Sequence, residues 1–310
     1  MVPKDADPRS SVYSAIEEAA GLMGAPCSRE RVWPILTAYG DGISEAGIVF
    51  SVQTGERHAG ELDYTITVPA DGPDPYTSAL SNGFLEATQH PVGTLLSDIR
   101  ARCHISEYFI DCGVVGGFNK VYAHFPHDPL SVERLAEVPS LPRSLADNLG
   151  FFLRHALRDV AMIAIDYRKK TVNLYFAQLS AECLRSANIR AMLRESGLSE
   201  LDGPMLDFAL GSFRIYVTLA WDSAGVERIS FASLMSSGWV NAALSEFPVR
   251  IEPEIERFVK NAPQAYSGDR VRILAIKSSP GDECLNFGSY YQISPVVRNL
   301  LAARAGDAEQ

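Results

Sequence analysis

Residues 111–125 read DCGVVGGFNKVYAHF. After the glycine pair Gly116/Gly117, large and small side chains alternate with a period of two. Val121, Ala123 and Phe125 fall on one face, and Phe118, Lys120, Tyr122 and His124 on the other. That period specifies a strand. The glycines then admit two readings, a hairpin turn or a loop that cradles phosphate. The feature that decides the fold is the polar face. A lysine stands between aromatics there, and Asp111 shares its side across the turn.

The same pattern recurs along the chain. Strand pairs are predicted near residues 46–68, 106–125, 159–177, 212–234 and 271–293, with starts spaced by about 53 to 60 residues. Their turns are unrelated: GERHAG, GVVGG, YRKKT, WDSAGVE and SSPGDECL. Helical segments lie between them. SSVYSAIEEAAGLMG starts at a Ser10/Ser11 cap and stops at Gly24, and SRERVWPILTAYG is a second helix interrupted or restarted at Pro34. DPYTSALSNGFLEA and PVGTLLSDIRA follow the first strand pair. Five such copies give ten strands, which remove their edges by closing into an antiparallel barrel. One face of nearly every strand is an apolar stripe suited to burial under helices, such as Leu62, Tyr64, Ile66 and Val68, or Phe213, Ile215, Val217 and Leu219. The other face carries Tyr, Asn, Thr and Ser with few acids, and single cations flanked by aromatics. A solvent face favours Lys and Glu instead. The expected architecture is therefore an α+β barrel with helices outside and a wide polar lumen inside.

Bulk properties bound the function. The chain has 310 residues and a net charge of −10, which excludes a broad nucleic-acid-binding face. Five scattered cysteines without a CxxC pair predict reduced thiols. No signal-peptide pattern opens the sequence and its longest apolar run, VAMIAI, is too short for a bilayer, so a cytoplasmic protein without a membrane partner is expected. P-loop, dinucleotide-binding, nucleophile-elbow and HExxH motifs are absent, as is an acidic DDxxD cluster. His124 and His127 have a spacing that could hold a metal, but no third ligand is apparent near them.

On ELDYTITVP, FIDCGVVGGFNKVYAHFP, DYRKKTVNLYF, YVTLAWD with Arg228 following, and FGSYYQI, the sequence resembles the bacterial ABBA-type aromatic prenyltransferases. The resemblance runs from YSAIEEAAGLMG to YYQISPVVRNLL. It implies a ten-stranded barrel ringed by helices, one domain over 1–310 with short flexible tails at about 1–9 and 304–310. It also implies transfer of a dimethylallyl or geranyl group from its diphosphate to a ring carbon of an aromatic acceptor, in secondary metabolism such as antibiotic biosynthesis. The acceptor classes are a phenazine carboxylate, a hydroxynaphthalene or a phenolic acid. By position, Lys120, Asn173 and Arg228 match diphosphate contacts, and Tyr175 and Tyr216 match aromatics beside the prenyl chain. Asp111 matches an acid near the diphosphate, and Asp63 the carboxylate of magnesium-dependent members. Met162, Phe213, Arg214, Tyr290 and Tyr122 match acceptor positions. Two departures stand out. Asn286 occupies the place of a further diphosphate lysine, for which Lys277 on the preceding strand is a substitute. Arg214 replaces a small hydroxyl residue.

The chemistry fits these residue types. Breaking an allylic C–O bond leaves an anionic diphosphate, which Lys120, Arg228 and the neutral donor Asn173 stabilise most strongly in a water-poor cavity. Asp63, an anion, contributes by holding Mg²⁺ or by pairing with a lumen cation; Mg²⁺ is expected to help without being essential. Tyr175 and Tyr216 offer electron-rich faces to the carbocation. Arg214 is expected to meet a carboxylate on the acceptor, with Asp111 or Asp166 as the protein alternatives. Cys112 is expected to be a packed thiol. A monomer is expected. Two rivals remain: a non-catalytic barrel that sequesters an aromatic metabolite, and a hydrolase or isomerase, which calls for a His/acid or Cys/His constellation that the sequence does not display.

Overall fold

Helices and antiparallel strand pairs alternate along the chain, and the computed structural model describes residues 7–299 apart from Ala177 and Ser236. Helices α1 (Pro8–Met23) and α2 (Arg29–Ala38) lead into β1 (Ile48–Gln53) and β2 (Asp63–Pro69). Next come α3 (Pro75–Ser81) and α4 (Val92–Arg100) with β3 (Glu107–Gly113) and β4 (Gly117–His124). A two-residue strand β5 (Leu130–Ser131) and the short α5 (Val132–Ala136), α6 (Arg143–Asp147) and α7 (Leu149–Arg154) precede β6 (Asp159–Asp166) and β7 (Thr171–Phe176). Helices α8 (Ser186–Glu195) and α9 (Gly203–Leu210) precede β8 (Arg214–Ala220) and β9 (Val226–Leu234). Finally α10 (Ser237–Ser245) and α11 (Pro253–Asn261) precede β10 (Arg272–Ser279) and β11 (Asp282–Gln292).

Ten of the strands close into an antiparallel barrel. The order runs β4-β3-β2-β1-β11-β10-β9-β8-β7-β6, and β4 pairs with β6 to complete the ring. Each strand neighbours its sequence successor, apart from the short β5, which extends the pairing of β6 through Leu130 opposite Val160. Because the chain goes up and down, all five hairpin turns lie at one end of the barrel and all helical connections at the other. Outward side chains such as Tyr64, Ile66, Ile110, Val121, Leu174, Val217 and Phe231 are buried under the helices and form the main core. A second, separate cluster sits inside the ring, around Met162, Tyr175, Tyr216, Ala232 and Ala275. Among the described residues, no helix is long and apolar enough to cross a membrane.

Local chemistry corrects several sequence-based boundaries. Helix α1 starts at Pro8, inside the expected N-terminal tail and ahead of the Ser10/Ser11 cap; Asp7 caps it by accepting from the Arg9 N–H. Proline in the first turn costs no intrahelical hydrogen bond, which makes the earlier start favourable. Its other end is as expected: Gly24 is left-handed, with its N–H on the Ala20 and Gly21 carbonyls. Helix α2 runs unbroken past Pro34. The C-terminal tail at 304–310 lies outside the described residues.

The larger correction falls on the deciding stretch. Lys120 pairs with Asp111, but Phe118 pairs with Cys112, so Asn119 is an extra residue on β4. This bulge reverses the side of everything between it and the turn. Phe118 therefore points outward, with its ring 5.9 Å from that of Tyr39 and 6.5 Å from that of Phe84. Gly117 is left-handed, which the tight hairpin requires. The glycine pair is a turn and the phosphate-loop reading fails.

Candidate active site

The barrel encloses a cavity of about 290 Å³. All fourteen residues singled out in the sequence line it: Asp63, Asp111, Lys120, Tyr122, Met162, Asn173, Tyr175, Phe213, Arg214, Tyr216, Arg228, Lys277, Asn286 and Tyr290. They come from nine strands and from Phe213, which precedes β8. Phe213 reaches the cavity although alternation assigns it to the outer face, because it stands before the strand begins and the period does not yet bind it.

The lining is graded along the barrel axis. Nearest the hairpin turns are the cations and their partners. Lys120 Nζ lies 3.8 Å from Asp111 Oδ1 and 3.9 Å from Asp166 Oδ2. Burial opposes its charge, but Asp111, Asp166 and Asp63 more than offset that and hold the ammonium protonated. Asp111 and Asp166 thus serve Lys120, at the end of the barrel away from Arg214. Lys277 Nζ donates to Gln53 Oε1 at 2.8 Å and to Asn286 Oδ1 at 3.0 Å. Lys277 is pushed well below the usual lysine range by burial first and then by the neighbouring charges of Arg228 and Lys120. Thr218 Oγ1 donates to Asn173 Oδ1 at 2.7 Å, which orients the amide and leaves its NH₂ as the donor. Arg228 Nε is buried and finds no acceptor among the described residues.

Asp63 belongs to the same layer. Burial and the negative charge of Asp111 push its carboxyl up to about 7, against the pull of Lys120 and Lys277. It pairs with Gly113, where a Cβ would come within 3.1 Å of Asp63 Oδ1. Asp111 Oδ1 is buried without a hydrogen bond. Two crowded carboxylates, one with an oxygen that faces Lys120 at 3.8 Å but accepts no hydrogen bond, and a glycine that leaves room beside them suit a hard divalent cation that completes its shell with oxygens from a ligand. Among the described residues there is no cluster of three acidic, His or Cys ligands, so the protein alone does not supply a full cage.

Above the cations comes a belt of tyrosines. The Tyr175 and Tyr216 rings stack at 4.6 Å, and Tyr122 lies 6.0 Å from Tyr175. Burial raises all three phenols, so they face the cavity as neutral aromatics. Toward the helical end stand Met162, Phe213, Arg214 and Tyr290. The Arg214 guanidinium carbon is 6.0 Å from the Tyr175 ring centroid and 5.3 Å from that of Phe213.

Sequence reasoning missed other members of the lining. Ser51, Gln53, Thr65, Phe109, His124 and Gly288 all face the cavity. Thr65, Phe109, His124 and Gly288 share parity with a chosen residue two positions away, whereas Ser51 and Gln53 lie on β1, from which none was chosen. It also missed a buried pair: His124 Nδ1 lies 3.0 Å from Glu107 Oε1, with both residues nine-tenths buried or more. These residues are 17 positions apart and meet only because β3 and β4 set Glu107 opposite His124. A His/acid constellation therefore exists, contrary to the sequence-based expectation, and its partner is Glu107 and not the exposed His127. Cys112 is a fully buried thiol under the helices, as expected.

The family model for aromatic prenyltransferase Orf2 matches residues 9–303. The chain is 42% identical over 300 residues to a 5,10-dihydrophenazine-1-carboxylate 9-dimethylallyltransferase of Streptomyces anulatus, covering 96% of this chain and 98% of that one. It is 40% identical over 287 residues to a flaviolin linalyltransferase of Streptomyces virginiae, covering 91% and 92%. Among solved structures, a 6-dimethylallyl tryptophan synthase superposes with a TM-score of 0.59 at 14% identity, over 92% of this chain and 97% of that one, a likeness of fold.

Proposed function

This chain belongs to the aromatic prenyltransferase family and is an enzyme of that class, and from that premise we propose that it transfers a dimethylallyl group from its diphosphate to a ring carbon of an aromatic carboxylic acid of the dihydrophenazine type. The observation that carries the reading is the axial order of the cavity: cations, then tyrosines, then Arg214. That order matches the order of a prenyl diphosphate followed by its acceptor. The 42% identical relative is named for such a donor and such an acid. The carrier reading finds no support, because relatives of this identity and coverage are named as transferases.

In this reading Lys120, Asn173, Arg228 and the Lys277–Asn286 pair receive the diphosphate. Lys120 and Arg228 stabilise the charge that grows on the bridging oxygen as the C–O bond breaks. The bond electrons leave with the diphosphate, and the allylic cation lies against Tyr175, Tyr216 and Tyr122. Each suitably placed ring contributes about 0.5–2 kcal/mol to a desolvated cation. The closed wall keeps water from quenching it. Asp63, beside Asp111, would hold Mg²⁺, which when bound neutralises part of the diphosphate charge. Arg214 fixes the acceptor by a paired contact to its carboxylate, which sets the ring against the allylic carbon. The enzyme works in the cytoplasm as a monomer.

The test is incubation with dimethylallyl or geranyl diphosphate and a panel of aromatic acids, each beside its decarboxylated twin, with products read by mass spectrometry. The expected outcome is a single prenylated acid from the five-carbon donor, with KM for the acid at least tenfold below that of its twin. Arg214→Ser should abolish that preference. Equal KM values in the parent, or an unchanged preference in Arg214→Ser, would reject Arg214 as the anchor. Preference for a hydroxynaphthalene over every acid would reject the carboxylic-acid acceptor class.

A further inference from the structure

The His124–Glu107 pair has no part in the scheme so far, yet it lies on the acceptor side of the cavity. His124 lines the cavity wall, two residues beyond Tyr122 and four beyond Lys120 on β4. At about 3.3 Å per residue that places it roughly 13 Å from the level of the diphosphate cations and one aromatic layer beyond the tyrosines. Its ring is 5.7 Å from Phe109 and its strand partner on β6 is Met162. Nδ1 lies 3.0 Å from Glu107 Oε1, so with Nδ1–H as donor to that carboxylate the lone pair falls on Nε2. Polar groups this deeply buried are costly to keep unless they are paired or used.

We propose that His124, oriented by Glu107, is the base that takes the proton the acceptor ring sheds. This rests on the transferase reading above. The allylic C–O bond breaks with its electrons going to the diphosphate, and a π pair of the ring forms the new C–C bond. The resulting arenium ion then gives the proton of its alkylated carbon to Nε2, and the C–H electrons restore aromaticity. The imidazolium is stabilised by Glu107, and its proton leaves to solvent on product release. Burial, and then the positive charge of Arg214, depress the imidazole below its usual range, while the hydrogen bond to Glu107 opposes this. His127 on the following loop adds a weaker depressing influence, and the phenols of Tyr122 and Tyr290, which line the same cavity, are raised by burial. The resting ring is thus neutral and able to accept a proton.

The experiment compares parent, His124→Gln and Glu107→Gln with an acceptor deuterated at the prenylated carbon, over a range of pH at saturating Mg²⁺. Glutamine keeps a polar group against Glu107 but is no base. His124→Gln should lower kcat about 100-fold or more, with KM for both substrates little changed. It should also expose a primary isotope effect absent from the parent, because proton loss becomes slow. In the parent, kcat should fall as pH drops below the imidazole pKa; in Glu107→Gln that limb should move to lower pH, since the raising partner is gone. The second variant keeps the test decisive if His124→Gln does not fold. A His124→Gln enzyme within threefold of the parent, without an isotope effect, overturns the proposal, as does an unmoved limb in Glu107→Gln. If the parent itself prenylates no acceptor, the transferase reading fails and the base falls with it.

Discussion

In the proposed reaction, Lys120 is the residue on which the leaving-group end turns. It sits between Asp111 and Asp166 on the two strands that flank its own, and these acids keep it charged inside the barrel. Removing it would leave these two carboxylates without their cation, facing the proposed diphosphate site. Lys120→Ala and Arg228→Ala are each expected to lower kcat about 100- to 1000-fold, with the far-UV circular dichroism of the parent retained. Near-normal turnover in both variants would reject their role. Lys277 is a different case. It is held at 3.0 Å from Asn286 on the neighbouring strand, so the two positions share one spot in the cavity. Lys277→Met should raise KM for the donor by tenfold or more, and adding Asn286→Lys should return most of that loss. A double variant no better than the single one would show that the side from which the ammonium arrives matters. The sequence displayed these residues because each sits on a clean period of two. It could not display Glu107 with His124, whose meeting depends on cross-strand register.

At the scale of single elements, strand parity holds wherever the pairing is regular and fails at the bulge. Parity placed Lys120, Tyr122, Asn173, Tyr175, Tyr216 and Tyr290 on the inner face correctly, because the insertions beside Lys120 and Tyr290 fall outside the runs 120–122 and 286–290 from which parity was read. It placed Phe118 inside, and the extra residue Asn119 turned that side chain out to stack on Tyr39 and Phe84. A bulge has no signature in one sequence, since any residue can fill it. The same reasoning explains the extended α1, where proline and an aspartate cap outcompete a pair of serines. The expected consequence is that Phe118→Leu costs roughly 1–2 kcal/mol of stability and leaves acceptor preference and kcat unchanged. Chemical denaturation and a product profile check this. A changed product profile would mean that the side chain reaches the cavity after all.

For the whole molecule, the pairings that close the ring join residues far apart in sequence, β1 with β11 and β4 with β6. Alternation marks strands but does not name their partners, so closure was legible through edge avoidance and the family resemblance. Closure also sets the electrostatics, because it brings Asp63 on β2 near Lys277 on β10. Asp63 is harder to ionise folded than unfolded. Between about pH 4, near the ordinary carboxylate value, and about pH 7 the folded chain therefore holds a proton that the unfolded chain has lost. Its contribution to stability falls as pH rises through that window. Without divalent metal, Asp63→Asn should match the parent near pH 4 and melt at least about 2 °C above it at pH 8. Mg²⁺ should raise the parent's melting temperature at pH 8 and leave the variant's unchanged. EDTA should slow parent turnover severalfold without abolishing it. If Mg²⁺ moves neither protein, the carboxylate serves its lysine neighbours and no metal.

The gradient of the cavity runs along the barrel and not around it, so each hairpin contributes to several zones: Asp111 and Lys120 near the turn, Phe109 and Tyr122 midway, His124 beyond. If the proposed roles hold, reaction machinery and substrate choice are separable cargo on the same strands. On that division an evolving lineage could exchange the residues farthest from the turns and acquire a new acceptor while inheriting the proposed bond-breaking end intact. The modules that recombine in such a protein are rings of side chains, cut across every strand, and no contiguous piece of gene corresponds to any one of them.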